Sequence, residues 1–100
     1  MLHHIVMWKL KEQAEGQDKR ENLVQMRRLL EGCSAVVPGI GRFEVGQAAP
    51  GLGSTFDLVL YSEFENAAAL AAYQHHPQHA AVSPFVRAVT EMRQCVDYVL

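Results

Sequence analysis

The 100-residue chain has few cysteines and no long apolar run. Cys33 and Cys95 stand far apart without a CxxC or metal-ligand spacing, so we expect two reduced, partly buried thiols and no disulfide. No apolar stretch approaches the length of about 18 residues that spans a membrane, and the start of the chain lacks the apolar core of a signal peptide. These absences favour a cytoplasmic protein.

The chain also lacks an excess of charge of one sign. It has 9 Lys and Arg against 11 Asp and Glu, and the basic residues are scattered, with Arg27 and Arg28 together on one predicted helix. We therefore expect neither nucleic acid nor an anionic membrane as a partner. The loop AAPGLGS at residues 48–54 lacks the lysine and following helix of a phosphate-binding loop.

The first third of the chain predicts a strand and a helix. Residues alternate over Leu2–Leu10, and both faces of this strand are substantially apolar. After a polar turn at residues 11–16, apolar residues recur at steps of three and four, which predicts an amphipathic helix. Its stripe consists of Leu23, Met26, Leu30, Cys33 and Val37. We expect the segment Val37-Pro38-Gly39 to end this helix.

Three β-rich runs predict the remaining strands. Residues 40–47 and 55–64 are expected to pair as a hairpin across the loop at 48–54. Residues 93–100, RQCVDYVL, have β-branched and aromatic character and predict the last strand.

Two helices are predicted before that last strand. Glu65 or Asn66 can cap the first helix, which the run AAALAAY favours. Pro77 stops this helix one residue after His76 and suits the first turn of a second, shorter helix. We expect that second helix to continue irregularly past Pro84.

The resulting order is β-α-β-β-α-β, which predicts an α+β, ferredoxin-like fold in a single domain over residues 1–100. Its four-stranded antiparallel sheet would carry helices on one face. The other face would present Ile5, Met7, Val59, Tyr61, Val96 and Tyr98. Since a monomer rarely exposes so large an apolar surface, we expect a homodimer in which two sheets pack face to face.

Six strings spread over nearly the whole chain resemble the stress-responsive A/B barrel (Dabb) family. They are HIVMWKLK, VPGI, FEVG, DLVLYSEF, AYQHHPQH and VDY. The resemblance implies a dimeric α/β barrel of two ferredoxin-like protomers and a link to stress tolerance. Members of this family include very stable oligomers and, in a plant branch, a polyketide cyclase that folds a linear poly-β-keto chain by aldol condensation.

The resemblance also implies catalytic positions. Tyr73 and His79 match the catalytic tyrosine and histidine of the cyclase branch, and His4 matches a histidine on the first strand. A neutral imidazole at a helix start can take a proton next to a carbonyl while a phenol supports the enolate oxygen. The other residues predicted to line the cavity are Val6, Trp8, Met26, Leu30, Leu58, Leu60, Ser62 and Leu70. This set need not fit a long polyketide.

A metal site is not expected from the histidine-rich turn. His75 and His79 have the i, i+4 spacing of helical zinc ligands, but Pro77 breaks the geometry and no nearby acidic residue completes the set. We therefore predict no bound metal and no cofactor.

The last strand places Arg93, Cys95 and Asp97 on one face. Asp97 can orient a histidine or pair with Arg93. We favour the structural ion pair with Arg93, and we interpret Cys95 as a core residue rather than a nucleophile.

Three hypotheses about function remain open. The one we favour is a homodimeric protein that binds a small apolar or aromatic molecule in a cavity between sheet and helices. The second is an enzyme of the same fold, a polyketide-cyclase-like lyase or a cofactor-independent monooxygenase, with Tyr73 and His79 as the acid/base pair. The third is a purely structural oligomer whose interior is closed by Trp8, Met26 and Leu70.

Overall fold

A computed structural model describes residues 1–100 and confirms the predicted α+β class. The elements are β1 (Leu2–Leu10), β2 (Gln13–Ala14), β3 (Gln17–Asp18), α1 (Lys19–Glu31), β4 (Ile40–Gln47), β5 (Leu58–Phe64), α2 (Ala67–His75), α3 (Pro77–Val89) and β6 (Thr90–Val99). Four strands form one sheet in the order β4-β5-β1-β6, and all neighbours are antiparallel. The predicted hairpin is therefore β4 and β5.

The two faces of β1 differ as the alternation predicts. His4, Val6, Trp8 and Leu10 are buried beneath the helices, whereas Met7 on the opposite face is exposed. The main core contains Val6, Trp8, Leu10, Leu23, Met26, Leu30, Val45, Leu58, Leu60 and Val89. A smaller cluster contains Cys33, Phe64, Leu70 and Tyr73. No helix of the fold has the length and apolar content needed to cross a lipid bilayer.

Helix α1 starts at a capping box and ends earlier than predicted. Asp18 accepts a hydrogen bond from the Glu21 backbone N–H at 2.9 Å. The helix ends at Glu31, so the expectation that it extends to Val37 is wrong. The turn after it is held by i→i+3 hydrogen bonds, including Cys33 N–H to Leu30 O at 3.0 Å. In such a tight turn, side chains about three residues apart still lie on the same side, so the apolar stripe continues beyond the end of the helix.

Helix α3 is regular and, at 13 residues, longer than the 9-residue α2, so the expected shorter and irregular helix is wrong. Pro77 occupies the first turn as predicted, and Asn66 rather than Glu65 caps α2. Pro84 lies inside α3 and removes one backbone hydrogen bond. The apolar face of α3 compensates for this loss, because Val86 packs on the main core and Val89 is fully buried within it.

The polar segment predicted as a turn forms a small hairpin, β2 and β3. Glu15 and Gly16 between them have positive φ values of 54° and 72°. Such a mirror-image turn matches the twist of the flanking strands.

Candidate active site

A cavity of about 270 Å³ lies between the sheet and helices α2 and α3. Alternate residues of β1 form its floor, and residues 79, 82, 83, 86 and 87 of α3 form one wall because they share a helical face. Its lining comprises His4, Val6, Trp8, Leu30, Cys33, Leu60, Tyr73, Gln74, His79, Val82, Ser83, Val86, Arg87 and Arg93. The volume lies near the lower limit of about 300 Å³ for ligand pockets, which indicates a small ligand.

All three residues predicted to be catalytic line this cavity. Tyr73 comes from α2 and His79 from the first turn of α3, and their ring centroids lie 4.8 Å apart in an edge-on arrangement. His4 reaches the cavity from β1 and is 3% exposed, and Tyr73 is 1% exposed. The Tyr73 hydroxyl is buried and has no hydrogen-bond partner. A buried donor without a partner is rare in native proteins.

Asp97 forms a hydrogen bond with His4. The two residues face each other in register on β6 and β1, and the Asp97 carboxylate accepts a hydrogen bond from the Nδ1–H of His4. This bond uses Nδ1 and leaves Nε2 as the ring nitrogen without a partner from Asp97, so that in a neutral ring Nε2 can act as an acceptor or base. The predicted ion pair between Asp97 and Arg93 does not form. Four residues along one strand separate the two by about 13 Å.

The protonation states suit acid–base chemistry near neutral pH. Burial lowers the pKa of His79 below its ordinary value of 6.5, and the positive charges of His4, when its ring is protonated, and of Arg93 act in the same direction. Burial also raises the pKa of Tyr73 above its ordinary value of 10.0, with a smaller contribution from Cys33. His79 is therefore a neutral base at pH 7, while Tyr73 stays protonated and can donate.

Four of the eight predicted lining residues border the cavity: Val6, Trp8, Leu30 and Leu60. The other four are buried but do not border the cavity. Met26 and Leu58 belong to the main core, and Leu70 belongs to the smaller cluster. The Ser62 hydroxyl donates to the His4 carbonyl at 3.2 Å, so it is turned towards the backbone of β1. Whether the eight contact a ligand stays a prediction.

Several residues that line the cavity were not predicted from the sequence. Val82, Ser83, Val86 and Arg87 follow His79 at helical spacings of three, four, seven and eight residues. That spacing was the available signal, but an irregular helix past Pro84 would not have kept the residues on one face.

Three potential metal ligands meet beside the cavity. The ligand atoms of His4, Cys95 and Asp97 all lie within 4.8 Å of one another, and all three residue types bind zinc. A metal there would replace the hydrogen bond between His4 and Asp97. Cys95 is exposed rather than in the core, because β6 is an edge strand, and Cys33 is buried; both are free thiols.

The family model described as the stress responsive A/B barrel domain matches residues 2–100. The chain belongs to the Dabb family. A dimeric protein of unknown function with a ferredoxin-like fold from Bacteroides fragilis is 33% identical, with 99% of this chain and 95% of that chain covered and a TM-score of 0.80. A Dabb family protein from Mesorhizobium loti is 26% identical, with 99% and 95% covered and a TM-score of 0.66.

The Dabb fold is shared with a candidate antibiotic biosynthesis monooxygenase from Nitrosomonas europaea. That structure is 25% identical to this chain, with 100% of this chain and 98% of that chain covered and a TM-score of 0.78. No curated protein matches the chain. The chemistry of this Dabb protein therefore has to be inferred from its own cavity.

Proposed function

We propose that this Dabb protein is a homodimeric enzyme that binds a small apolar or aromatic carbonyl compound and transfers a proton next to its carbonyl. The proposal depends on one observation, the buried Tyr73 hydroxyl without a partner beside the neutral ring of His79. An unsatisfied buried hydroxyl costs about 1–3 kcal/mol. A ligand oxygen would remove that cost on binding, so the site favours a ligand that offers an acceptor.

The proposed reaction assigns one role to each side chain. Tyr73 donates to the carbonyl oxygen and stabilises the negative charge that develops there, while His79 takes the proton from the adjacent carbon. His4, held by Asp97, offers Nε2 as a second base on the floor of the cavity. Retro-aldol and related lyase reactions use the same groups. Proton transfer of this kind needs no cofactor.

The test is exchange of the α-protons of acetophenone and butyrophenone with D2O, followed by NMR. Tyr73→Phe and His79→Ala should each abolish exchange without changing the far-UV circular dichroism. Tyr61→Phe and His75→Ala are matched controls, since Tyr61 lies on the opposite face of the sheet and His75 is exposed. Equal exchange in all four variants would remove the catalytic assignment.

The proposed homodimer forms through the uncovered sheet face. Met7 is 37% exposed and Val96 is 52% exposed on that face, and the Bacteroides fragilis relative is described as dimeric. Light scattering should give twice the mass of the chain. Val96→Glu should shift the protein towards the monomer, and Val24→Glu on α1, where Val24 is 50% exposed, should leave the dimer intact.

A cofactor-independent monooxygenase is the second candidate, supported by the likeness to the Nitrosomonas europaea structure. Oxygen uptake with an electron-rich phenol separates it from the proton-transfer enzyme, which consumes no oxygen. A purely structural oligomer is less well supported, because the cavity stays open although Met26 and Leu70 are buried. For the proton-transfer enzyme we also propose a role in stress tolerance and a cytoplasmic location.

A further inference from the structure

The cavity contains more hydrogen-bond donors than acceptors at one end. Arg87 and Arg93 both line it, and neither has a carboxylate within ion-pair distance. Trp8 is 4% exposed, and its indole N–H is buried without an acceptor. The lining therefore contains one buried donor without a partner and two exposed arginines without carboxylate partners, a set that is complementary to a ligand group that only accepts hydrogen bonds.

The backbones of these three residues lie towards one end of the cavity and those of the proposed acid–base pair towards the other, although the charge of Arg93 still acts on His79. Trp8 and Arg93 face each other in register on β1 and β6. Arg87 lies eight residues after His79 in α3, which separates their backbones by about 12 Å, and Trp8 lies about 13 Å along β1 from His4. The cavity thus has a donor end, formed by Trp8, Arg87 and Arg93, and an acid–base end, formed by His4, Tyr73 and His79.

The charges at the two ends are unequal. Asp97 is the carboxylate beside the cavity, and its bond to His4 places it at the acid–base end. Both arginines of the donor end remain free to bind an anion. The apolar side chains of Val6 and Val86 belong to the same lining, so a ligand that spans the cavity needs an apolar body.

We propose that the donor end binds a carboxylate, so that the ligand is a small carboxylic acid with an apolar or aromatic body. Arginine presents paired N–H groups whose geometry matches a carboxylate, and the indole N–H of Trp8 adds a further donor. With the carboxylate at Arg93, the carbonyl of a keto acid lies towards Tyr73. This placement of the carbonyl rests on the proposed function, whereas the carboxylate site does not.

The experiment compares 4-oxo-4-phenylbutanoate with its neutral amide and with butyrophenone by isothermal titration calorimetry. We expect the acid to bind at least about tenfold more tightly than the amide, since charged hydrogen bonds are the stronger ones. Arg93→Gln should weaken binding of the acid about tenfold and leave binding of the amide unchanged. Arg20→Gln is the matched control, because Arg20 is an exposed arginine of α1 that lies outside the cavity lining. Trp8→Phe, which keeps a ring and removes the N–H, should also weaken the acid selectively.

The outcomes separate the two proposals. Equal affinities for acid and amide, or equal losses in Arg93→Gln and Arg20→Gln, would overturn the carboxylate site even if ketone exchange at Tyr73 and His79 continues. Selective, Arg93-dependent binding of the acid supports the carboxylate site whether or not carbonyl compounds exchange their protons. Absence of proton exchange would overturn only the proposed function. Failure of the acid to bind where butyrophenone binds also overturns the carboxylate site.

Discussion

Replacing Tyr73 with phenylalanine should make the protein more stable while it removes activity. The ring of Tyr73 is fully buried and packs edge-on against His79 and at an angle against Phe64. Phenylalanine keeps these ring contacts. Only the hydroxyl is lost, and it has no hydrogen-bond partner in the folded protein although water satisfies it in the unfolded chain. The substitution therefore removes a cost of folding.

The size of the effect follows from the cost of burying an unsatisfied polar group, about 1–3 kcal/mol. Tyr73 lines a cavity rather than a sealed core, so we take the lower value of about 1 kcal/mol. For a domain of this length, that corresponds to a rise in melting temperature of about 4–8 °C. Thermal unfolding must be followed at one fixed protein concentration, because a dimer's melting temperature depends on it.

Tyr61→Phe is the control for this stability prediction. Its hydroxyl donates to the Glu63 carboxylate at 2.7 Å and lies 2.8 Å from Nδ1 of His3. The same chemical change at Tyr61 removes satisfied bonds and should lower the melting temperature. If Tyr73→Phe lowers it as well, the Tyr73 hydroxyl has a partner, such as an ordered water, and is not a free donor for a ligand.

Three further predictions concern the titrating groups. NMR titration of the His79 ring should give a midpoint below pH 6.5. Because the unfolded chain binds this proton more tightly than the folded protein, the free energy of unfolding should rise with pH between that midpoint and pH 6.5. Asp97→Asn should slow ketone exchange by releasing the His4 tautomer, and the fold should persist because the Asp97 side chain is 41% exposed. A thiol reagent should modify exposed Cys95 long before Cys33, since burial raises the pKa of the Cys33 thiol.

Local patterns were sufficient to predict the strands and the two faces of the sheet. The alternation of β1 identified the buried positions, because a strand's period of two is fixed by its geometry. The stop at Pro77 placed Tyr73 and His79 on successive helices, and that juxtaposition explains why both reach one cavity. Both features could be predicted because each is determined by residues that are close together in the sequence.

The missed features depend on contacts that are distant in sequence. Asp97 bonds to His4 because the register of β6 against β1 brings them opposite each other, and no local pattern determines that register. Likewise, α3 continues past Pro84 because tertiary packing of Val89 outweighs one lost hydrogen bond. The ends of elements and the partners of polar side chains were therefore predicted less well than the elements themselves.

Strand β6 connects the proposed dimer to the proposed site. Its residues alternate, so Val96 faces the uncovered side of the sheet while Arg93 and Asp97 face the cavity side. β6 is an edge strand and pairs only with β1. A partner sheet packed on Val96 would restrain β6 and so hold Arg93, and Asp97 with its bond to His4, in place. The affinity for ligand should then depend on dimerisation.

Val96→Glu tests this dependence on dimerisation. At protein concentrations where light scattering shows the monomer, butyrophenone should bind at least several-fold more weakly than to the dimer, and affinity should recover as the protein is concentrated. Val24→Glu, with the same charge added on α1, should keep wild-type affinity at every concentration. If a folded monomer binds butyrophenone as tightly as the dimer does, the dependence on dimerisation is refuted. The contact between Tyr73 and His79 lies within one protomer, so β1, α2 and α3 would then be sufficient to maintain the cavity.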